Sequence, residues 1–113
     1  MTTIKSYTDL GQSKKLAEIL PLESADMYYK AGNETQPTFK LHSYGHIMSD
    51  KDIRAWSLAA LLEVLKNKIV YGGNDSKSWF VSYTKKNPTK TIFIYKEHLI
   101  DACYEAILNL SYT

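Results

Sequence analysis

His42 and His46 stand four residues apart in His42-Ser43-Tyr44-Gly45-His46, the spacing that on a helix aims two imidazoles at one metal ion. Gly45 and the alternating pattern just before it argue for a loop, and Ser43 stands where a zinc protease needs its general-base glutamate. No cofactor is expected, and these two histidines are the candidate metal ligands. Cys103 would be a nucleophile only with a cation or a helix N-terminus to stabilise its thiolate. Its place in an apolar helical stripe predicts an inert core thiol. Gly72 to Ser78 imitates a phosphate loop, yet aligning on Lys77-Ser78 puts Tyr71 and Ser76 where the motif requires glycine, and a strand follows. Glu97, Asp101 and Glu105 recur at four-residue spacing, which predicts a solvated acidic helix face rather than a general acid and base. No catalytic constellation is complete. An enzyme would need residues distant in sequence to converge, such as His42, His46 or His98 with a carboxylate.

The chain is rich in rings, with nine tyrosines and two tryptophans among 113 residues. Between residues 66 and 96 seven lysines face one acid, Asp75, a local net charge of +6 in a chain whose total is +2. Lys77, Trp79, Tyr83, Lys85, Lys86, Lys90 and Tyr95 form the candidate surface of this segment. Lysines beside rings can neutralise phosphates while the rings stack bases, so binding of single-stranded nucleic acid is one reading. Tyrosine and tryptophan equally suit a protein interface, where they bury much area at little rotamer entropy. Lysines at strand ends also serve solubility and keep sheet edges from pairing, and cross-strand rings stabilise a small sheet without any partner.

The elements that must carry these residues follow from periodicity. Ser6-Tyr7-Thr8-Asp9 has the spacing of a helix cap, and Leu10, Leu16, Ala17, Ile19 and Leu20 fall mainly on one face before Pro21 ends the helix. Residues 25 to 31 and 38 to 42 alternate as strands, and the loop chemistry of residues 32 to 37 joins them in a hairpin. Residues 43 to 51 show no period. Asp50, Asp52 or Ser57 caps a second helix whose stripe is Ala55, Leu58, Leu61, Leu62 and Leu65. Ser24 and Asp26 sit where they can bond free backbone groups, and the Trp56 indole N–H needs a polar partner. Residues 68 to 71, 78 to 84 and 91 to 95 read as a three-stranded antiparallel meander. Leu99, Cys103, Ala106, Ile107 and Leu110 then give a terminal helix with one buried stripe. The order α-β-β-α-β-β-β-α lacks the alternation of a parallel sheet. It predicts an α+β fold, an antiparallel sheet of about five strands with helices packed on it, as a single domain over residues 1–113.

Residues 16–29, Trp56-Ser57-Leu58-Ala59-Ala60-Leu61-Leu62 and Asp101-Ala102-Cys103-Tyr104-Glu105-Ala106-Ile107 resemble short uncharacterised proteins of gut-type anaerobic bacteria and their prophages or mobile elements. The resemblance spans most of the chain and implies a single cytoplasmic domain of phage or mobile-element origin. It brings no activity, cofactor or site residue with it. Composition agrees with an ordinary soluble domain, at 44% hydrophobic and 23% charged residues, and the small net charge marks neither a dedicated nucleic-acid binder nor a polyanion mimic. A lone cysteine forms no internal bridge, no run reaches the ~18 apolar residues of a membrane span, and Met1-Thr2-Thr3-Ile4-Lys5-Ser6 lacks a signal-peptide core. These features predict a cytoplasmic protein without a membrane partner. The expected function is that of a small non-catalytic accessory protein acting by protein–protein interaction, with a protein partner or its own copy. Nucleic-acid binding through the basic meander 66–96 is the alternative, and a small enzyme the second alternative.

Overall fold

The computed structural model describes residues 5–39, 52–73, 78–85 and 89–111, and the chain divides into two compact units, residues 6–60 and residues 1–5 with 61–113. The fold is α+β. His42, His46, the aperiodic segment 43–51, Lys77 and Lys86 lie outside the described residues.

In the 6–60 unit, helix α1 (Leu10–Ala17) starts at Asp9. The Asp9 carboxylate accepts from the Gln12 backbone N–H at 2.8 Å, and the Gln12 side-chain oxygen accepts from the Asp9 N–H at 3.1 Å. This reciprocal pair satisfies two of the helix's first donors, so the cap lies three residues beyond the Ser6 position that the spacing suggested. A 3-10 turn (Leu22–Ser24) leads into β1 (Met27–Lys30), which turns through Ala31 and Gly32 into β2 (Asn33–Phe39). Gly32 has φ +86°, which a side chain would disfavour. The hairpin is therefore as expected, but its turn is shorter and β2 begins at Asn33 rather than Thr38. Pro37 falls inside β2, where the β1 to β2 register slips between Tyr28 and Lys30 and where an edge strand tolerates a missing N–H.

The third strand, β3 (Ile53–Ala55), pairs with the other edge of β1, so that β1 is central in the order β2-β1-β3. Met27, Tyr28 and Tyr29 are all buried there. Met27, Tyr29 and Ala55 form a core cluster against which Tyr7, Leu10 and Ile53 pack. Ala55 thus belongs to a strand and not to the stripe of the next helix, α2 (Leu58–Val64). Asp52 does not cap that helix either. Its carboxylate accepts from the Ala31 N–H at 2.8 Å, and the cap is Ser57, whose hydroxyl accepts from the Ala60 N–H at 3.2 Å.

In the second unit the chain leaves α2 through Asn67, at φ 65°, the left-handed conformation with which many helices end. The strands β4 (Val70–Gly73), β5 (Trp79–Lys85) and β6 (Lys90–Lys96) form the expected antiparallel meander in the order β4-β5-β6. Helix α3 (Leu99–Ser111) packs along β5 and β6. Cys103, Ala106 and Ile107 are buried as the stripe predicts, together with Ile100 and Ala102. The expected acidic face is partly tied down, since Asp101 accepts from Lys5 at 2.6 Å and Glu105 pairs with Lys96 at 3.2 Å.

Among the described residues the expected single sheet of about five strands is replaced by two three-stranded sheets. The physical reason lies in β3. By taking the second edge of β1 it completes a sheet within residues 6–60, and the meander forms its own sheet from neighbouring strands in sequence.

Candidate functional site

The register of the second sheet decides which side chains share a face, because directly opposed residues of an antiparallel pair project the same way. Val81 lies opposite Ile94 and Tyr71, Tyr83 opposite Ile92, and these belong to the side that α3 covers. The other side presents Val70, Ser82 and Phe93 in one row, Gly72, Phe80 and Tyr95 in the next, and Thr84 with Thr91 beyond. Val70, Phe93 and Tyr95 are 65%, 52% and 54% exposed. This open face carries three rings with centroids 6.2 to 6.3 Å apart. Phe93 and Tyr95 are stacked at 15° between planes, and Phe80 is tilted against both.

Gly72 is part of this construction. A Cβ built on it would come within 3.1 and 3.3 Å of two Phe80 ring carbons, tighter than ordinary contact, so the ring lies over a backbone kept bare. Glycine weakens a strand, and a cross-strand ring over an edge glycine is a known way to restore packing there.

The face has no charge among its described residues. Lys85 lies opposite Lys90, and Lys96 opposite Trp79, all in the alternation of Val81 and Ile94, which is the helix-covered side. Of the surface proposed from the sequence, Tyr95 stands on the open face, whereas Trp79, Tyr83, Lys85 and Lys90 project from the other. Tyr83 is only 6% exposed and offers no ring for stacking. The grouping of rings with lysines therefore divides: Phe93 and Tyr95 stand on an uncharged face, while the exposed Tyr71 and Trp79 share the side of Lys85, Lys90 and Lys96. Val70, Phe80 and Phe93 are the members that sequence reasoning did not single out. Their signal was present in the alternation, since Phe80, Phe93 and Tyr95 fall out of step with Val81 and Ile94, but alternation alone does not say which face a helix covers.

The 6–60 unit offers a second candidate, a groove of about 900 Å³ whose lining includes Tyr7, Asp26, Met27, Phe39 and Ser57. Its one polar pair with catalytic residue types is Asp26 and Ser57. The Ser57 hydroxyl donates to one Asp26 oxygen at 2.5 Å while the other oxygen accepts from the Ser57 N–H at 2.9 Å. The same hydroxyl accepts from Ala60, so its proton and a lone pair are both committed to holding the helix start. The described residues of this unit contain no histidine to act as base. Asp26 and Ser57 thus make a clamp between β1 and α2, as the sequence suggested for Asp26, and not a nucleophile with its base.

Other chemistry-bearing groups are similarly absorbed. The Thr8 hydroxyl bonds to the Ser13 hydroxyl at 2.8 Å and accepts from the Trp56 N–H at 3.1 Å, and Tyr29 donates its phenol to the Thr8 carbonyl at 2.8 Å. Burial, then the neighbouring Tyr7 and Asp9, pushes that phenol above its ordinary value. The Trp56 indole donates to Ser24 at 2.9 Å, the partner its burial demands. Cys103 is fully buried, and burial pushes its thiol up to about 12, which removes the thiolate that nucleophilic chemistry needs at neutral pH. Among the described residues no three histidine, cysteine, aspartate or glutamate side chains come together as a metal site, and no helix is long and apolar enough to cross a membrane.

Comparison with known proteins yields no matching family model, no matching curated protein and no matching solved structure.

Proposed function

We propose that this chain is a small accessory protein that works by binding another protein through the open face of its second sheet, without catalysis of its own. The observation that carries this reading is the cluster of the exposed Phe93 and Tyr95 with the partly buried Phe80, on a face without charge among its described residues. A half-exposed ring leaves roughly 100 Å² of apolar surface in water, and covering it is worth about 2.5 kcal/mol. Two such rings side by side therefore reward a partner strongly, as the anchoring residues of protein interfaces do. Nucleic acid is a poorer fit to the same face, because its affinity comes largely from cations beside the rings, and Lys85, Lys90 and Lys96 project from the opposite side. The resemblance of residues 16–29, 56–62 and 101–107 supports an origin in a phage or mobile element.

A photo-crosslinking amino acid placed at Phe93 tests the reading in living cells, with the same group at the exposed Glu18 as control. The expected result is a protein adduct from position 93 that is absent from position 18 and is lost when Val70→Lys puts a charge on the face. Absence of any adduct from position 93, or an adduct that nuclease removes, overturns it.

A further inference from the structure

We infer that the groove of the 6–60 unit binds a small organic ammonium ion, an amine whose charge meets Asp26 while its apolar body lies along the groove walls. The inference goes beyond protein binding and stands apart from the open face of the second sheet.

Charge decides the class of ligand. Among the described residues that line this groove of about 900 Å³, Asp26 alone is charged. Tyr7, Met27, Pro37, Phe39, Leu58 and Ala59 form apolar walls, and the other lining side chains are neutral hydroxyls and one amide. A hollow of this size suits a small molecule, and small-molecule sites combine apolar walls with a few polar groups that fix orientation. Asp26 is partly buried, and no lysine or arginine among the described residues pairs with it. Its two bonds from Ser57 come from a neutral N–H and a neutral O–H, one to each carboxylate oxygen. They leave the negative charge without a counter-ion. An ionised carboxylate offers about four lone-pair sites, so about two remain for an incoming donor.

The other ligand classes each fail against this arrangement. A neutral apolar molecule laid along the walls would take Asp26 out of water with nothing to offset its charge. An anion would meet that charge with no cation in the described lining to balance it. A bare calcium ion takes about six or more oxygens, and one carboxylate already bonded to Ser57 is a poor cage for it. An alkylammonium or arylalkylammonium ion meets every demand. Its N–H groups make charge-assisted bonds to the open lone pairs, and Ser6 and Thr38 bring further hydroxyl acceptors to the lining. Tyr7 and Phe39 supply rings, whose faces attract a cation, while the aliphatic walls take the apolar body out of water. The clamp between Asp26 and Ser57 is kept throughout, because the ligand uses lone pairs that the clamp leaves open.

Titration of the isotope-labelled full chain with phenethylamine to about 5 mM, followed by amide chemical shifts, tests this over the weak range expected of so small a ligand. The expected result is saturable binding that shifts Tyr7, Asp26, Phe39 and Leu58. Phenethyl alcohol keeps the body and removes the charge, and hydrocinnamate reverses the charge. Each should bind at least about tenfold more weakly, as loss of a hydrogen bond between charged groups does. Asp26→Asn should weaken phenethylamine by a similar factor. Thr38→Lys, at an exposed position of the lining, should do so too by placing a tethered ammonium in the groove. The amide spectrum shows whether each variant is folded, and should Asp26→Asn not fold, the two analogues and Thr38→Lys still read the charge. Absence of saturable shifts with phenethylamine overturns the inference. Alcohol or acid binding as tightly as the amine also overturns it, since the carboxylate then selects nothing. Undiminished affinity in folded Asp26→Asn or Thr38→Lys, or shifts confined to other residues, puts the amine elsewhere and overturns the site. Tighter binding of Nα-acetyl-lysine methylamide than of phenethylamine overturns the free amine in favour of a lysine side chain.

Discussion

The central strands of the two sheets are treated in opposite ways. In the first sheet Met27, Tyr28 and Tyr29 of β1 are buried in succession, and the polar groups around them are joined to one another through Thr8, Ser13, Ser24, Asp26, Trp56 and Ser57. In the second sheet β5 alternates, with Val81 and Tyr83 turned under α3 while Phe80 joins an uncovered row of rings. Both sheets have three antiparallel strands and similar residue types. What differs is where the apolar side chains end up. The first sheet spends its aromatic and hydroxyl groups on internal cohesion, and the second leaves a comparable set of rings facing outward with hydroxyls around them. Polar residue types that suggest chemistry cluster in the first sheet, yet they are bonded to one another and to the backbone, so the residues most available to act are the chemically plain ones of the second.

Substitutions separate the two regions. The largest effect is expected from Trp56→Ala, which empties a fully buried indole site and leaves the Ser24 hydroxyl without its donor, for a loss of about 3–5 kcal/mol in urea denaturation. Thr8→Val comes next. It keeps the shape but removes the hydroxyl that serves Ser13 and the Trp56 N–H, both buried, and should cost about 1–3 kcal/mol by the same measurement. Neither change touches the open face, so association with a protein partner through that face, measured on the folded fraction, should be unaltered. On the second sheet Phe93→Ser should do the reverse, moving the denaturation free energy by no more than about 1 kcal/mol because the ring is half-exposed, while weakening association with the protein partner. A large loss of stability from Phe93→Ser would break the comparison.

The smallest expected effect is a dependence on alkaline pH. The Cys103 thiol is held above its ordinary value of 9.0, at about 12, by burial. The unfolded chain therefore releases this proton at lower pH than the folded one, and the stabilisation is complete below pH 9.0 and declines as pH rises towards about 12. Denaturation at about pH 7 and about pH 10 should show this decline in the native chain and a shallower one in Cys103→Ala. An equal slope in both would show that the thiol is not the group responsible.

Much of this arrangement was readable from local pattern, and what was not has a common cause. The meander, the α3 stripe, the β1 to β2 hairpin and the Ser57 cap each follow from neighbours within a few residues. The strand β3 escaped because three residues are too few to show a period, and its pairing with β1 joins Met27 to Ala55 across a long stretch of chain. The division into two sheets followed from that one missing pairing. The open face was half legible: the parity that groups Phe80 with Ser82, and Phe93 with Tyr95, is a sequence property, but assigning Trp79, Tyr83, Lys85 and Lys90 to one surface with Tyr95 ignored it. Exposure of one parity over the other depends on where α3 docks, which no short window contains.

The chain's two tryptophans fall one in each compact unit, and their surroundings differ sharply. Trp56 is fully enclosed with its indole N–H bonded to Ser24, and Trp79, at the start of β5, is 41% exposed. The molecule thereby contains its own pair of optical labels. Emission from Trp56 should lie to the blue and resist iodide, while that from Trp79 should lie to the red and be quenched. With Trp79→Phe as the single-emitter reference, unfolding of the 6–60 unit can be followed apart from its companion without attaching a dye.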